Sequence, residues 1–343
     1  GEDKIFVGQL DGVLKALDKE TGQEVWSIQA EAWEEGYTIT SAPLYFNGMV
    51  ISGFAGAEFA ARGRVKAYSA DDGSLLWTFY TVPAPGEFGA DTWPADSDAW
   101  QTGGGTVWHT PAVDPDLGMI YFSTGNPGPD YNGAIRPGDN LFTASIVALD
   151  VYTGEYRWHF QQVHHDLWDF DAPNPVVLFD LDYNGVPRKG LAQAGKTGWV
   201  YILDRTNGEP LVGIEERPVP QEPRQATAAT QPYPVGDAFV SQTLDIPPEG
   251  FTMVNNGAIF TPFWDDPVLL RRSEANWPPS TVDPNKGVIY VCAGERQAAY
   301  TTRDGVEPVE SGDRFTGGSM RFAPIAVTGV VAAMDLRTNQ RLW

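Results

Sequence analysis

One eleven-residue unit constrains this chain more than any other feature. Ala16-Leu17-Asp18-Lys19-Glu20-Thr21-Gly22-Gln23-Glu24-Val25-Trp26 is answered by Ala67-Tyr68-Ser69-Ala70-Asp71-Asp72-Gly73-Ser74-Leu75-Leu76-Trp77. It returns as Ala148-Leu149-Asp150-Val151-Tyr152-Thr153-Gly154-Glu155-Tyr156-Arg157-Trp158, and last as Ala333 to Trp343. Leu203-Asp204-Arg205-Thr206-Asn207-Gly208 is a version without the Trp. The pattern describes a strand, a tight Asp/Thr-Gly turn and an antiparallel strand ending in Trp. A large ring at one fixed position per unit suits docking against the neighbouring unit. Trp26 and Trp77 lie 51 residues apart and later copies lie farther, which reads as repeats of roughly 50 residues with insertions, the signature of a propeller or array. Short antiparallel strands favour four-stranded blades around a channel over a solenoid. An ordinary β-sandwich has no reason to repeat the unit.

The expected fold is therefore all-β, a β-propeller. Further strand signals fall at Lys4–Val7, Met49–Ser52, Met119–Ser123, Trp199–Leu203 and Val288–Cys292, and no helical periodicity is sustained. The chain starts inside one repeat and stops on the Trp of another, whereas a propeller closes on itself to remove its edges. The expectation is a single partial propeller domain spanning residues 1–343, with about five blades. Insertions between Trp77 and Gly105, Asn126 and Leu141, and Leu211 and Asn276 are expected to cover one mouth of the channel.

A net charge of −22 argues against a nucleic-acid partner and against an anionic membrane surface. The single cysteine, Cys292, lies in an apparent buried strand, which predicts packing; one Cys makes neither a disulfide framework nor a zinc cage. No run of 18 apolar residues offers a membrane span.

The chemistry concentrates in His164-His165-Asp166-Leu167-Trp168-Asp169-Phe170-Asp171-Ala172-Pro173-Asn174. Pro173 rules out a helix through it, so a loop presenting carboxylates beside aromatic rings is expected. Gly56-Ala57-Glu58 and Gly125-Asn126-Pro127 also follow strands, and strand ends of different blades converge at a channel mouth. Carboxylates with an amide oxygen and no Cys form a hard-cation set. Trp108, after a Gly run, is free to lie flat against a planar ligand. Lys196, in Ala194-Gly195-Lys196-Thr197-Gly198, can aim a cation at an oxygen-rich ligand.

These motifs resemble a known family. The Asp-x-x-Thr-Gly-x-x-x-Trp unit, Gly56-Ala57-Glu58-Phe59-Ala60-Ala61-Arg62-Gly63, Gly104-Gly105-Thr106-Val107-Trp108, Pro137-Gly138-Asp139-Asn140-Leu141-Phe142-Thr143, the 164–174 stretch and Asn276-Trp277 are similar to the pyrroloquinoline quinone (PQQ)-dependent alcohol dehydrogenases. The resemblance implies the eight-bladed quinoprotein propeller, with PQQ over a metal ion in the channel. It implies Glu58, Asn126 and Asp169 as metal ligands, Asp169 also as catalytic base, and Trp108 beneath the quinone. Thr40, Ala57, Glu58, Thr106, Lys196, Asn276 and Trp277 match cofactor contacts. Asp171 matches the extra carboxylate of lanthanide-using methanol dehydrogenases. Yet His164 to Asp169 and Arg217-Pro218-Val219-Pro220-Gln221 also resemble membrane-bound glucose dehydrogenases, so calcium and a lanthanide both stay open, as do alcohol and sugar or polyol substrates. The family further implies a periplasmic enzyme passing electrons to a c-type cytochrome or membrane quinone. A non-catalytic scaffold propeller is the contrasting class, and it lacks the Glu58, Asn126, Asp169 and Lys196 set. Two departures stand out: Ala55 where some members have Ser, and Arg272-Ser273-Glu274-Ala275 where a Gly-Gly is often found.

Overall fold

The structure, a computed structural model, describes all residues except 1, 2, 245–248, 252 and 325. Its described strands form antiparallel sheets in chain order, and the helical turns among them are short 3₁₀ segments. The first blade holds β1 (Lys4–Gly8), β2 (Val13–Asp18) and β3 (Glu24–Gln29). The second holds β4 (Leu44–Phe46), β5 (Met49–Gly53), β6 (Arg64–Ser69) and β7 (Leu75–Tyr80). The third holds β8 (Ala112–Asp114), β9 (Met119–Ser123), β10 (Ser145–Asp150) and β11 (Tyr156–Gln161). The fourth holds β12 (Val177–Tyr183), β13 (Val186–Ala194) and β14 (Val200–Asp204). A hairpin of β15 (Ile214–Pro218) and β16 (Thr230–Pro234) follows.

The last sheet is built on one long strand. After β17 (Val268–Ser273) and β18 (Thr281–Asp283) comes β19 (Val288–Thr302), then β20 (Gly318–Phe322) and β21 (Thr328–Asp335). The first half of β19 pairs with β18 and β21 as a blade, while its second half runs on to pair with β17 and β20. Sequence signals placed only Val288–Cys292 in this strand. They also placed Cys292 inside; it is exposed, because the two-residue alternation of β19 turns it to the outer face opposite Val331.

The repeated unit explains how the blades join. Where the unit has its Asp, that residue closes the turn: Asp18 Oδ1 accepts from Thr21 N at 2.7 Å, and Asp150 Oδ1 from Thr153 N at 3.0 Å, while in the second copy Ser69 Oγ accepts from Asp71 N at 3.2 Å. The first three Trp residues then reach into the next blade's turn. Trp26 Nε1 donates to Ala70 O at 3.0 Å, Trp77 Nε1 to Val151 O at 3.1 Å and Trp158 Nε1 to Arg205 O at 3.1 Å. The receiving turn presents its Gly to the ring. Gly154 has φ +72 and a Cβ there would sit 2.7 Å from Trp77; at Gly208 the corresponding distance to Trp158 is 2.6 Å. Where the fourth blade lacks the Trp, Tyr183 Oη donates to Leu336 O at 2.6 Å instead, and Asn339 replaces the turn Gly.

The insertions do not lie loose. Tyr131, Val219, Ile259, Phe260 and Phe263 pack with Leu167, Trp168 and Phe170 of the 164–174 loop and with Leu270 and Tyr300 of the β17–β19 extension. A separate loop, residues 303–317, crosses to the second blade, where Phe315 N donates to Glu58 O at 2.7 Å and Gly312 N to Phe59 O at 2.9 Å. Sequence reading did not single out that crossing.

Candidate active site

The 164–174 stretch is a loop, as its composition predicts, but a buried one. Its residues divide into braces and presented groups. Asp166 Oδ1 and Oδ2 accept from Trp168 N at 2.9 Å and Phe170 N at 2.8 Å, folding the loop on itself. His165 is held between Gly138 O and Gln225 O, and His164 sits against Gln161 and Glu216. Both imidazoles therefore tie the loop down. Asp169, at φ +56, and Asp171 are the carboxylates turned into a cavity of about 300 Å³.

That cavity is lined by Ala55, Gly56, Glu58, Thr106, Trp108, Asn126, Asp169, Asp171 and Lys196, drawn from strand ends of the second, third and fourth blades. A second cavity of about 760 Å³ shares Ala55 and Trp108 and adds Thr40, His109, Val176 and Trp277, among residues that lead into the first strands of their blades. Trp108 thus stands between the two spaces. Its indole Nε1 donates to Asp171 Oδ2 at 3.1 Å, and its carbonyl accepts from Thr40 Oγ1 at 3.1 Å. Gly104 permits this placement: a Cβ there would meet Asn126 O at 2.5 Å, so only glycine lets the Thr106–Trp108 segment lie against the Asn126 turn.

Two cations hold Asp169. Lys196 Nζ donates to Oδ1 at 2.8 Å and Arg272 Nη2 to Oδ2 at 2.7 Å. Lys196 also pairs with Asp171 Oδ1. Burial disfavours charge on both carboxylates, but the Lys196 and Arg272 charges outweigh it at Asp169 and keep that group below the usual carboxylate range. Of these cations Asp171 meets only Lys196, and burial pushes it up. The two cations therefore favour the charged form at Asp169 more than the single one does at Asp171. Burial acts against the Lys196 ammonium too, and its two carboxylates hold it above its ordinary range.

The remaining donors are all oxygens. Glu58 sits at the turn after β5, its side chain open to the cavity, and burial together with the Asp169 charge raises its pKa. Asn126 Nδ2 donates to Asp130 Oδ1 at 2.8 Å and to Pro127 O at 3.2 Å, which leaves its own carbonyl oxygen as the group for a ligand. Asp130 is buried and pushed well above the carboxylate range by that burial and by the Glu58, Asp169 and Asp166 charges. Among the described residues no three carboxylate or imidazole groups already form a closed metal cage. The set nevertheless fits a hard cation. It offers oxygen alone, and burial first, then the charges of neighbouring carboxylates, raises both Glu58 and Asp130; a cation among them would relieve that repulsion.

Of the residues singled out in the sequence, Glu58, Thr106, Trp108, Asn126, Asp169, Asp171 and Lys196 meet in one cavity, while Thr40 and Trp277 line the adjoining one. Ala57 is buried in the turn behind Glu58, and Asn276 lines neither space; its Oδ1 accepts from Trp277 N at 2.9 Å. Arg272 and Asp130 escaped the sequence reading. A charged residue on the inward face of the apolar run Val268-Leu269-Leu270 was the available signal, since a buried guanidinium requires a carboxylate.

Residues 28–292 match the family described as "PQQ: Glucose/ethanol/alcohol dehydrogenase, beta-propeller domain". The chain is 38% identical to quinohemoprotein alcohol dehydrogenase ADH-IIG of Pseudomonas putida, over 87% of this chain and 41% of that protein. It is 33% identical to quinoprotein alcohol dehydrogenase PedH of Pseudomonas putida, over 99% of this chain and 57% of that one. A solved europium-containing methanol dehydrogenase superposes with a TM-score of 0.76 at 26% identity, covering 100% of this chain and 60% of that structure. The chain thus spans about half the length of the curated relatives it matches.

Proposed function

This chain belongs to the PQQ-dependent glucose/ethanol/alcohol dehydrogenase β-propeller family, and from that premise we propose that it forms one partial propeller domain of an enzyme oxidising alcohols to aldehydes, with Asp169 as base. The observation that carries the reading is the double hold on Asp169 by Lys196 and Arg272, at the wall of a cavity that Trp108, Glu58 and Asn126 also line. When bound, PQQ supplies the two-electron acceptor and calcium or a lanthanide supplies a Lewis acid.

The chain's own residues do the rest. Glu58, Asn126, Asp169 and Asp171 would hold the cation. Trp108 offers a ring whose indole Nε1 is anchored on Asp171, so the plane is fixed before a planar ligand arrives. Lys196 uses two of its three N–H donors on Asp169 and Asp171, leaving one for an oxygen of the quinone. Asp169 takes the hydroxyl proton of the alcohol. It is ready at neutral pH because the paired cations keep it ionised. Thr40, Thr106 and Trp277 surround the same two spaces as packing and polar contacts, with Ala57 and Asn276 behind them. A periplasmic site of action, with a c-type cytochrome or membrane quinone as electron acceptor, goes with the family likeness.

The test is a PQQ titration with calcium or lanthanum present, followed by absorbance, and then dye reduction with a primary alcohol. Stoichiometric, cation-dependent PQQ uptake and dye reduction are expected. Failure to take up PQQ with either cation would refute the reading.

A further inference from the structure

Asn174 ends the base-carrying loop, three residues after Asp171, and is 1% exposed. Its side-chain amide and its backbone carbonyl both bridge outward. Its Nδ2 donates to Asn276 O at 2.9 Å and to Pro278 O at 2.7 Å. Its Oδ1 accepts from Ser280 Oγ at 3.1 Å. Its backbone carbonyl accepts from Gln193 Nε2 at 2.8 Å and from Ser123 Oγ at 3.4 Å. The residue therefore joins three parts: the loop of Asp169 and Asp171, the inner strands of the third and fourth blades, and the 276–280 segment leading into β18.

That last segment has little else to place it. Residues 274–280 carry no regular secondary structure, Trp277 is 63% exposed, and the Asn276 side chain caps only its own neighbour. Two of its carbonyls point at one amide nitrogen. An amide suits that geometry because its NH₂ has two donors and its oxygen still accepts from Ser280. A carboxylate of the same shape would turn an acceptor on two carbonyl oxygens.

We propose that Asn174 is a positioning residue that fixes the Asn276–Trp277 segment relative to the Asp169–Asp171 loop, and so sets how tightly the quinone is held. The proposal rests on the reading of Trp277, with Asn276 behind it, as part of the wall around the quinone. Asn174 itself touches no reacting group. Its effect falls on cofactor affinity and not on proton transfer.

The experiment measures the PQQ dissociation constant at saturating calcium, by tryptophan quenching, for the unaltered protein and for Asn174→Asp, Asn174→Ser and Ser280→Ala. Asn339→Ser serves as control: Asn339 is equally buried, bonds Val200 O at 3.0 Å and joins two blades away from the cavities. Asn174→Asp and Asn174→Ser are expected to weaken PQQ binding at least tenfold, Ser280→Ala two- to threefold, and Asn339→Ser not at all, although it lowers the melting temperature. If Asn174→Asp does not fold, the Ser and Ser280→Ala variants decide. Unchanged PQQ affinity in the folded Asn174 and Ser280 variants overturns the proposal. So does an equal loss in Asn339→Ser, which would mark a general structural effect. An unaltered protein that takes up no PQQ would instead refute the functional reading beneath it.

Discussion

Gly154→Ala and Gly22→Ala form a matched pair that isolates the contact between blades. Both glycines close the same Asp-x-x-Thr-Gly turn, at φ +72 and +71 respectively. An alanine there costs about 1–2 kcal/mol for the left-handed backbone alone. At Gly22 nothing lies within 4 Å of the added methyl, so the cost stops there. At Gly154 the methyl would sit 2.7 Å from Trp77 Cδ2 and Cε3. The indole is poorly able to retreat, because its Nε1 is bonded to Val151 O of that same turn at 3.1 Å. Overpacking a fixed neighbour adds about 1–3 kcal/mol. Gly154→Ala should therefore lose roughly 2–5 kcal/mol and Gly22→Ala about 1–2. Urea unfolding of the two variants reads the difference as a midpoint shift at common slope. Equal losses would mean that the Trp does not dock on the glycine and that the repeat has been misread.

Three further outcomes are expected. Asp169→Asn keeps the shape but removes the proton acceptor, so turnover should fall about 10²–10⁴-fold while PQQ still binds; full activity in that variant would show that the base lies elsewhere. Asp171→Ala should weaken lanthanum more than calcium, since removing one carboxylate costs a trivalent ion more Coulomb energy at equal distance, and equal losses measured by competition titration would exclude Asp171 as a ligand. Asp114 gives a pH test away from the site. Burial opposes its charge, but the Arg205 guanidinium, 2.7 Å away, and backbone N–H bonds hold it below the usual carboxylate range. A lowered folded-state pKa contributes stability above the unfolded value of about 3.9 that is lost as pH falls through the folded value. Asp114→Asn should thus be markedly less stable than the parent at pH 7 and converge with it in acid; a gap that stays constant down to the acid limb would contradict this.

What the sequence revealed was what short-range pattern encodes. The Asp-x-x-Thr-Gly-x-x-x-Trp unit carries its turn, its outer strand and its docking ring within a few residues, so the blades were legible. Glu58, Asn126, Asp169 and Lys196 were legible because each sits in a turn motif at a strand end. What escaped depends on contacts between distant segments. Nothing near Phe315 says that its backbone will meet Glu58, and nothing near Asn174 says that residues 276–280 will close on it. Cys292 was misplaced because a strand of apolar residues was read as buried on both faces, whereas only one face of β19 is covered at that point.

Arg272 shows why a departure from the family pattern can still serve the site. It stands just ahead of Asn276, where the resembling family often has a Gly-Gly pair, and its side chain is 2% exposed. A guanidinium so buried needs its charge and its donors answered. Asp169 Oδ2 answers at 2.7 Å, Glu274 at 2.8 Å, Trp168 O at 2.7 Å and Tyr300 Oη at 3.1 Å. One of those partners is there because β19 runs beyond its blade to pair with β17: Tyr300 lies on the extension, and the paired β17 delivers Arg272 itself. Breaking one member of a buried pair costs about 3–5 kcal/mol, so the extension, Glu274, Tyr300 and Arg272 stand or fall together. Asp169 is thus held on both carboxylate oxygens by the protein's own cations, an arrangement that suits the role of proton acceptor proposed for it.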